Sequence, residues 1–170
     1  MFDMIKKSAL VATVGTLAFS SAAIAIETPP VSEVTVEVSA EAAQDDNAAR
    51  VYDTITVDLA KAISERVTRG TGGDAYNIKV DIRKLALDGD TLQPDDTEFN
   101  QLEGVVVFNG PRSGAGNATL PIRISAVTGD QTAPEGVIMI KPGTDDFYDA
   151  MIAGFADNVA EELTGVYTGG

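Results

Sequence analysis

Between Tyr52 and Val67 the apolar residues recur at steps of three and four: Tyr52, Ile55, Leu59, Ile63 and Val67, with Ala62 on the same side. That spacing lines one face of an α-helix and leaves Asp53, Asp58, Lys61 and Glu65 mainly on the other. A strand competes for the first part, because Val51, Ile55, Val57 and Leu59 also fall two or four apart and residues 54–57 are rich in β-branched side chains. The helix is preferred. Its stripe runs on to Val67, whereas a strand of period two would bury Asp53. Asn47 offers an N-cap, with Asp45 and Asp46 at the positive end of the helix dipole. Arg66 and Arg69 fall in the last turn and Gly70 is the expected stop.

Ahead of this helix, Val34, Val36 and Val38 alternate with Thr35 and Glu37, the pattern of a half-buried strand. Residues 40–47 fit a loop and an extra helical turn equally. After it, Gly70, Gly72 and Gly73 make a turn, and Tyr76, Ile78, Val80 and Ile82 alternate with Asn77, Lys79, Asp81 and Arg83 in a second strand. Strand, helix and strand in that order predict a crossover that sets the two strands parallel in one sheet. Further strands are expected at residues 102–108 and 120–126, joined as an antiparallel hairpin by the glycine-rich residues 109–117, and at residues 137–140. Phe147, Met151, Phe155, Val159 and Leu163, at strict steps of four, predict a closing amphipathic helix that starts at Thr144 or Asp145 and stops at Gly165.

The order β-α-β-β-β-β-α places the chain in the α+β class, with a mixed sheet of about five strands and two amphipathic helices on one face. Residues 1–25 read as a signal peptide: Lys6 and Lys7 precede an apolar run from Ala9 to Phe19, and Ala23-Ile24-Ala25 has the small-residue spacing of a cleavage site. The run is shorter than the ~20 apolar residues a spanning helix needs. Residues 26–33, with Pro29 and Pro30, form an extended lead-in, residues 34–165 a single domain and residues 166–170 a flexible tail. No cysteine follows the apolar run, so a lipid anchor at that point is excluded and the expected location is periplasmic or secreted.

Composition removes several chemistries. The chain has no histidine and no cysteine, which excludes Ser-His-Asp and Cys-His catalysis, ordinary zinc sites, haem held by those residues, and disulfides. Its formal net charge is −14, from 12 basic and 26 acidic residues, so bulk electrostatics oppose binding to nucleic acid or anionic membrane. With no tryptophan to line a sugar platform, paired carboxylates acting in a hydrolase are a distant alternative. The acidic loop offers a sharper one. Asp88, Asp90, Asp95, Asp96 and Glu98 bring together oxygen ligands of the kind calcium takes, although the spacing departs from the EF-hand, whose twelfth position here is Phe99. The segment from Asn109 to Asn117 has a phosphate-loop composition with Arg112 as cation, but it leads into a strand and not a helix, which favours a hairpin loop.

In layout the chain resembles small bacterial envelope α/β domains, such as the N-terminal domain of TolB and the auxiliary lipoproteins of ABC-type transport. The pieces that carry the resemblance are AARVYDTITVDLAKAISERV followed by YNIKVDI, the stretch LPIRISAVTGD, and the closing FYDAMIAGFADNVAEEL. The resemblance implies a role in envelope assembly or transport and no catalytic residues; this chain lacks the acylated cysteine of the lipoproteins. The expectation is therefore an exported, non-enzymatic protein that acts on an unknown protein partner, with a strand edge at residues 34–38 or 137–140 as the place of contact and a calcium-binding module as the alternative. Cleavage after Ala25 gives a mature chain beginning at Ile26. Intact-mass measurement of the exported protein checks this, and a chain that retains residues 1–25 contradicts it.

Overall fold

The computed structural model describes residues 28–39, 42–43, 46–87, 100–111, 116–126 and 143–168. The strands are β1 (Pro30–Val38), β2 (Thr68–Arg69), β3 (Tyr76–Ala86), β4 (Gln101–Asn109) and β5 (Ala118–Ser125). The helices are α1 (Asp46–Val51), α2 (Ile55–Arg66) and α3 (Thr144–Thr168). Five strands make one mixed sheet in the order β2-β1-β3-β4-β5.

The expected crossover is present. Val34, Val36 and Val38 of β1 lie beside Ile78, Val80 and Ile82 of β3 in a parallel pair, and α1 and α2 carry the chain between them. Antiparallel pairing then joins β3 to β4 and β4 to β5. Alternation decides which side chains face inward: Tyr76, Ile78, Val80 and Ile82 are buried while Asn77 and Lys79 are exposed. A register shift between Ile82 and Lys84 resets that alternation, so Leu85 turns into the core and Arg83 stays out.

The inner face is covered by α2 over β1 and by α3 over β4 and β5, the two helices packing on each other. Ile55, Leu59, Ala62 and Ile63 of the predicted stripe are buried, as are Phe147, Met151, Phe155, Val159 and Leu163 of α3. The helices run in the same direction. Tyr148 donates to Asp58 at 2.8 Å near their first turns, and Arg66 pairs with Asp157 further along. Arg50 of α1 adds a 2.8 Å ion pair to Asp145. Burial first, and then the hydrogen bond to Asp58, raise the Tyr148 hydroxyl well above the ordinary tyrosine value.

Several local features depart from the sequence pattern. The predicted single helix is broken by a turn at Tyr52–Thr54, where Thr54 Oγ1 donates to the Val51 carbonyl at 3.1 Å, a local bond that competes with helix continuation. Ile55–Val57 beyond the turn is helical, so the β-branched run does not form a strand. Asn47 is not the N-cap; it lies inside α1 and its Nδ2 donates to the Leu87 carbonyl at 3.0 Å. β1 begins at Pro30, within the expected lead-in, and α3 passes Gly165 and reaches Thr168, because an exposed glycine near a helix end weakens the helix without stopping it. The fifth strand is β2, while residues 137–140 lie outside the described residues.

Two glycines are dictated by close approach. Gly70 lies against Pro30, where a methyl group would run into the proline ring. Gly104 sits in the middle of β4, where a Cβ would lie 3.1 Å from the Phe155 ring and 3.1 Å from the Asp81 carbonyl oxygen. The missing side chain makes room for the phenyl ring, which is fully buried. Phe155→Ala should cost about 3–5 kcal/mol and Gly104→Val about 1–3 kcal/mol in urea unfolding. The double variant is expected to lose less than the sum, because the valine fills part of the vacated space; strict additivity would show that the two positions do not share it.

Alkaline pH gives a second check. Tyr76 is also raised, by burial and then by Tyr167 nearby. Both groups hold their protons more tightly folded than unfolded, where they titrate near 10.0, so the stability they add is full below that pH and falls above it. Tyr148, the more strongly shifted, should contribute a slope that approaches about 1.4 kcal/mol per pH unit above pH ~10. Tyr148→Phe is expected to cost ~1 kcal/mol at neutral pH and to fall less steeply between pH 10 and 11; a slope parallel to that of the parent would contradict the assignment.

Candidate functional site

The five acidic positions put forward for calcium, Asp88, Asp90, Asp95, Asp96 and Glu98, lie outside the described residues. Their connection to the fold is visible at both ends: Ala86 pairs with Gln101, and Leu87 and Asn100 are buried on either side. Among the described residues, no group of three or more acidic side chains could hold a metal ion. The turn between β4 and β5 is tied across its base by the Gly110 N–H, which donates to Asn117 Oδ1 at 2.9 Å. It leads into β5, so no helix N-terminus faces a phosphate there, and Arg112 lies outside the described residues.

The sheet face away from the helices is polar and internally matched. Lys79 pairs with Glu37 at 2.9 Å, Arg123 with Glu103 at 2.8 Å and Arg83 with Asp81 at 2.5 Å. Val105 and Val107 on this face are half-buried among them, as expected where long charged side chains lay their aliphatic stems over apolar neighbours. Near the start of β1, Ser32 Oγ donates to the Tyr76 carbonyl at 3.2 Å and lies 2.5 Å from Asn77 Oδ1. Ser32 and Asn77 line a shallow depression with Gly72, Gly73 and Pro111. These polar groups are exposed and bonded to one another, so they leave no convergent set for a ligand.

The outer edge of β1 is different. β2 covers it only at Pro30 and Val31, opposite Thr68 and Arg69. From Val34 to Val38 no strand lies on that side among the described residues. The Ser39 N–H donates to the Ile82 carbonyl at 3.2 Å, which fixes the phase of the ladder: residues 35, 37 and 39 turn their amides toward β3. Val34, Val36 and Val38 therefore turn theirs outward. The Val38 carbonyl is approached by the Tyr52 hydroxyl at 3.4 Å, which also donates to the Ser39 carbonyl at 2.9 Å. Val34 and Val36 present N–H and C=O groups along the open edge.

The side chains agree with the backbone. Ile78, Val80 and Ile82 are at most 1 % exposed, whereas their partners Val34, Val36 and Val38 on β1 are only half-buried. The core thus thins out at this edge, under the overhang of α2. Glu33 and Glu37 project on the opposite face. The sequence signal for this site was the Val34-Val36-Val38 alternation; that the strand sits one place from the sheet's end, covered over two residues only, was not contained in it.

No family model matches the chain, and no curated protein matches it. Among solved structures, a Caulobacter crescentus chain assigned as a lipoprotein is similar at 14 % identity and a TM-score of 0.39, over 80 % of this chain and 90 % of that one. A minor lipoprotein from Acinetobacter baumannii is similar at 17 % identity and a TM-score of 0.31, over 78 % of this chain and 92 % of that one. At such scores the likeness is one of outline and carries no argument about this chain's role.

Proposed function

We propose that this is an exported bacterial envelope protein that acts without enzymatic chemistry of its own, through a protein partner that adds a strand to the open edge of β1. The observation that carries this reading is the outward row of peptide groups at Val34 and Val36, flanked by half-buried valines. An added strand would satisfy those groups and cover the apolar row in one step, which is how strand addition gains affinity. The leader at residues 1–25 supports an envelope location. The matched ion pairs on the open sheet face support the edge over that face as the place of contact.

A photo-crosslinking residue at Glu33 tests this in cells, with Lys61 on the exposed side of α2 as the control position. A discrete adduct is expected from Glu33 and none from Lys61. Val36→Pro removes an outward N–H without breaking a bond to β3, a change that edge strands tolerate. It should abolish the adduct while circular dichroism still reports a folded chain. Absence of any adduct, or equal adducts from both positions, contradicts the proposal.

A further inference from the structure

We infer that the segment received by β1 is a short extended stretch of another protein that alternates apolar and basic side chains. This rests on the edge reading above and gives the partner its chemistry. The edge is closed at both ends: β2 occupies it opposite Pro30 and Val31, and the Tyr52 hydroxyl is bonded at Ser39 and reaches Val38. Among the described residues nothing covers 32–37, roughly 20 Å of strand at ~3.3 Å per residue, so the received segment is about six residues long.

Its two faces are set by what β1 offers. On the helix side, Val34 and Val36 are half-buried and need apolar neighbours. On the other side stand Glu33, Thr35 and Glu37. Glu37 shares its charge with Lys79, whereas Glu33 makes no ion pair among the described residues. A segment with basic residues at alternate positions would place them beside these carboxylates, and the chain's net charge of −14 draws such a segment in.

The same charges turn away a second copy. Antiparallel self-pairing centred on Thr35 sets Glu33 of each copy against Glu37 of the other, and parallel self-pairing sets Glu33 beside Glu33. Like charges placed directly opposite destabilise a strand pair. Charged residues on an edge are a general protection against self-association, and here they leave oppositely charged strands admissible.

The test uses a monomeric hexapeptide alternating valine and lysine, its valine–glutamate counterpart, and the lysine peptide N-methylated at alternate residues. Binding is read by fluorescence anisotropy, and hydrogen exchange is followed at the Val34 and Val36 amides of the whole mature protein. The lysine peptide is expected to bind and to slow exchange at both amides by at least roughly tenfold, N-methylation to abolish this, and the glutamate peptide not to bind. Replacing both carboxylates, Glu33→Gln with Glu37→Gln, should weaken the lysine peptide roughly tenfold. Equal binding of the N-methylated or the glutamate peptide overturns the inference, as does dimerisation that protects the same amides without peptide. If the lysine peptide fails while the Glu33 adduct still forms, the partner chemistry is wrong and the edge reading stands; if both fail, both fall.

Discussion

A parallel pair of strands is stable only if the chain that links them can cross back over the sheet with its apolar face down. Here that condition is met by Leu59 and Ile63 of α2, buried as the helix packs over β1 and against α3. Everything else is placed by this contact. With α2 seated, β3 becomes the central strand, β4 and β5 follow it as a simple antiparallel series, and the remaining inner face over β4 and β5 is left for α3. Gly104 then has a reason: a helix carrying Phe155 needs one position in the strand beneath it with no side chain at all.

The sheet shows how alternation can survive irregularity. Two register shifts interrupt its ladders, one between Val31 and Glu33 in β1 and one between Ile82 and Lys84 in β3. Each leaves the apolar residues on the core side, because exposing a whole valine or isoleucine row would cost far more than the few ladder bonds a bulge gives up. The polar groups freed by the first are taken up locally by Ser32, whose hydroxyl reaches the Tyr76 carbonyl. Between the helices the charges work differently. Asp58 accepts from Tyr148 and Asp157 pairs with Arg66, so an acidic chain uses its few basic and phenolic groups to fix helix register.

Much of this architecture was legible in the sequence, for an identifiable reason: wherever burial is one-sided, period two or period three-and-four survives in the residues. The α2 stripe, the β3 alternation and the five apolar residues of α3 at steps of four are all of that kind. What was not legible depends on single contacts between distant parts. Asn47 has the chemistry of an N-cap, yet its amide is claimed by the Leu87 carbonyl forty residues away in the chain. Thr54 breaks the helix through a bond to Val51 that any mid-helix threonine is able to make and few are compelled to. β2 has two exposed residues and no apolar pattern, so nothing in Thr68–Arg69 announces a strand. The site shared this difficulty, since an edge is a property of strand order and strand order is not written in any local stretch.

The open edge follows from the same crossover that builds the core. Because α2 packs over β1, the chain arrives at the start of β1 on its outer side, pairs there for two residues as β2, and must then cross to the other side of β1 to begin β3 at Tyr76. The crossing is tight enough that a Cβ on Gly70 would run into Pro30, and Gly72 takes a φ of 119°, in the region open to glycine. A longer β2 would cover more of the edge, but it would carry the chain away from Val31, beside which β3 has to begin. Among the described residues, coverage of residues 30–31 and the open peptide groups at Val34 and Val36 are therefore two results of one topological constraint. Charge bears on that edge as well: wherever a second copy of β1 is laid alongside it, Glu33 and Glu37 set like charges opposite one another, which works against self-pairing.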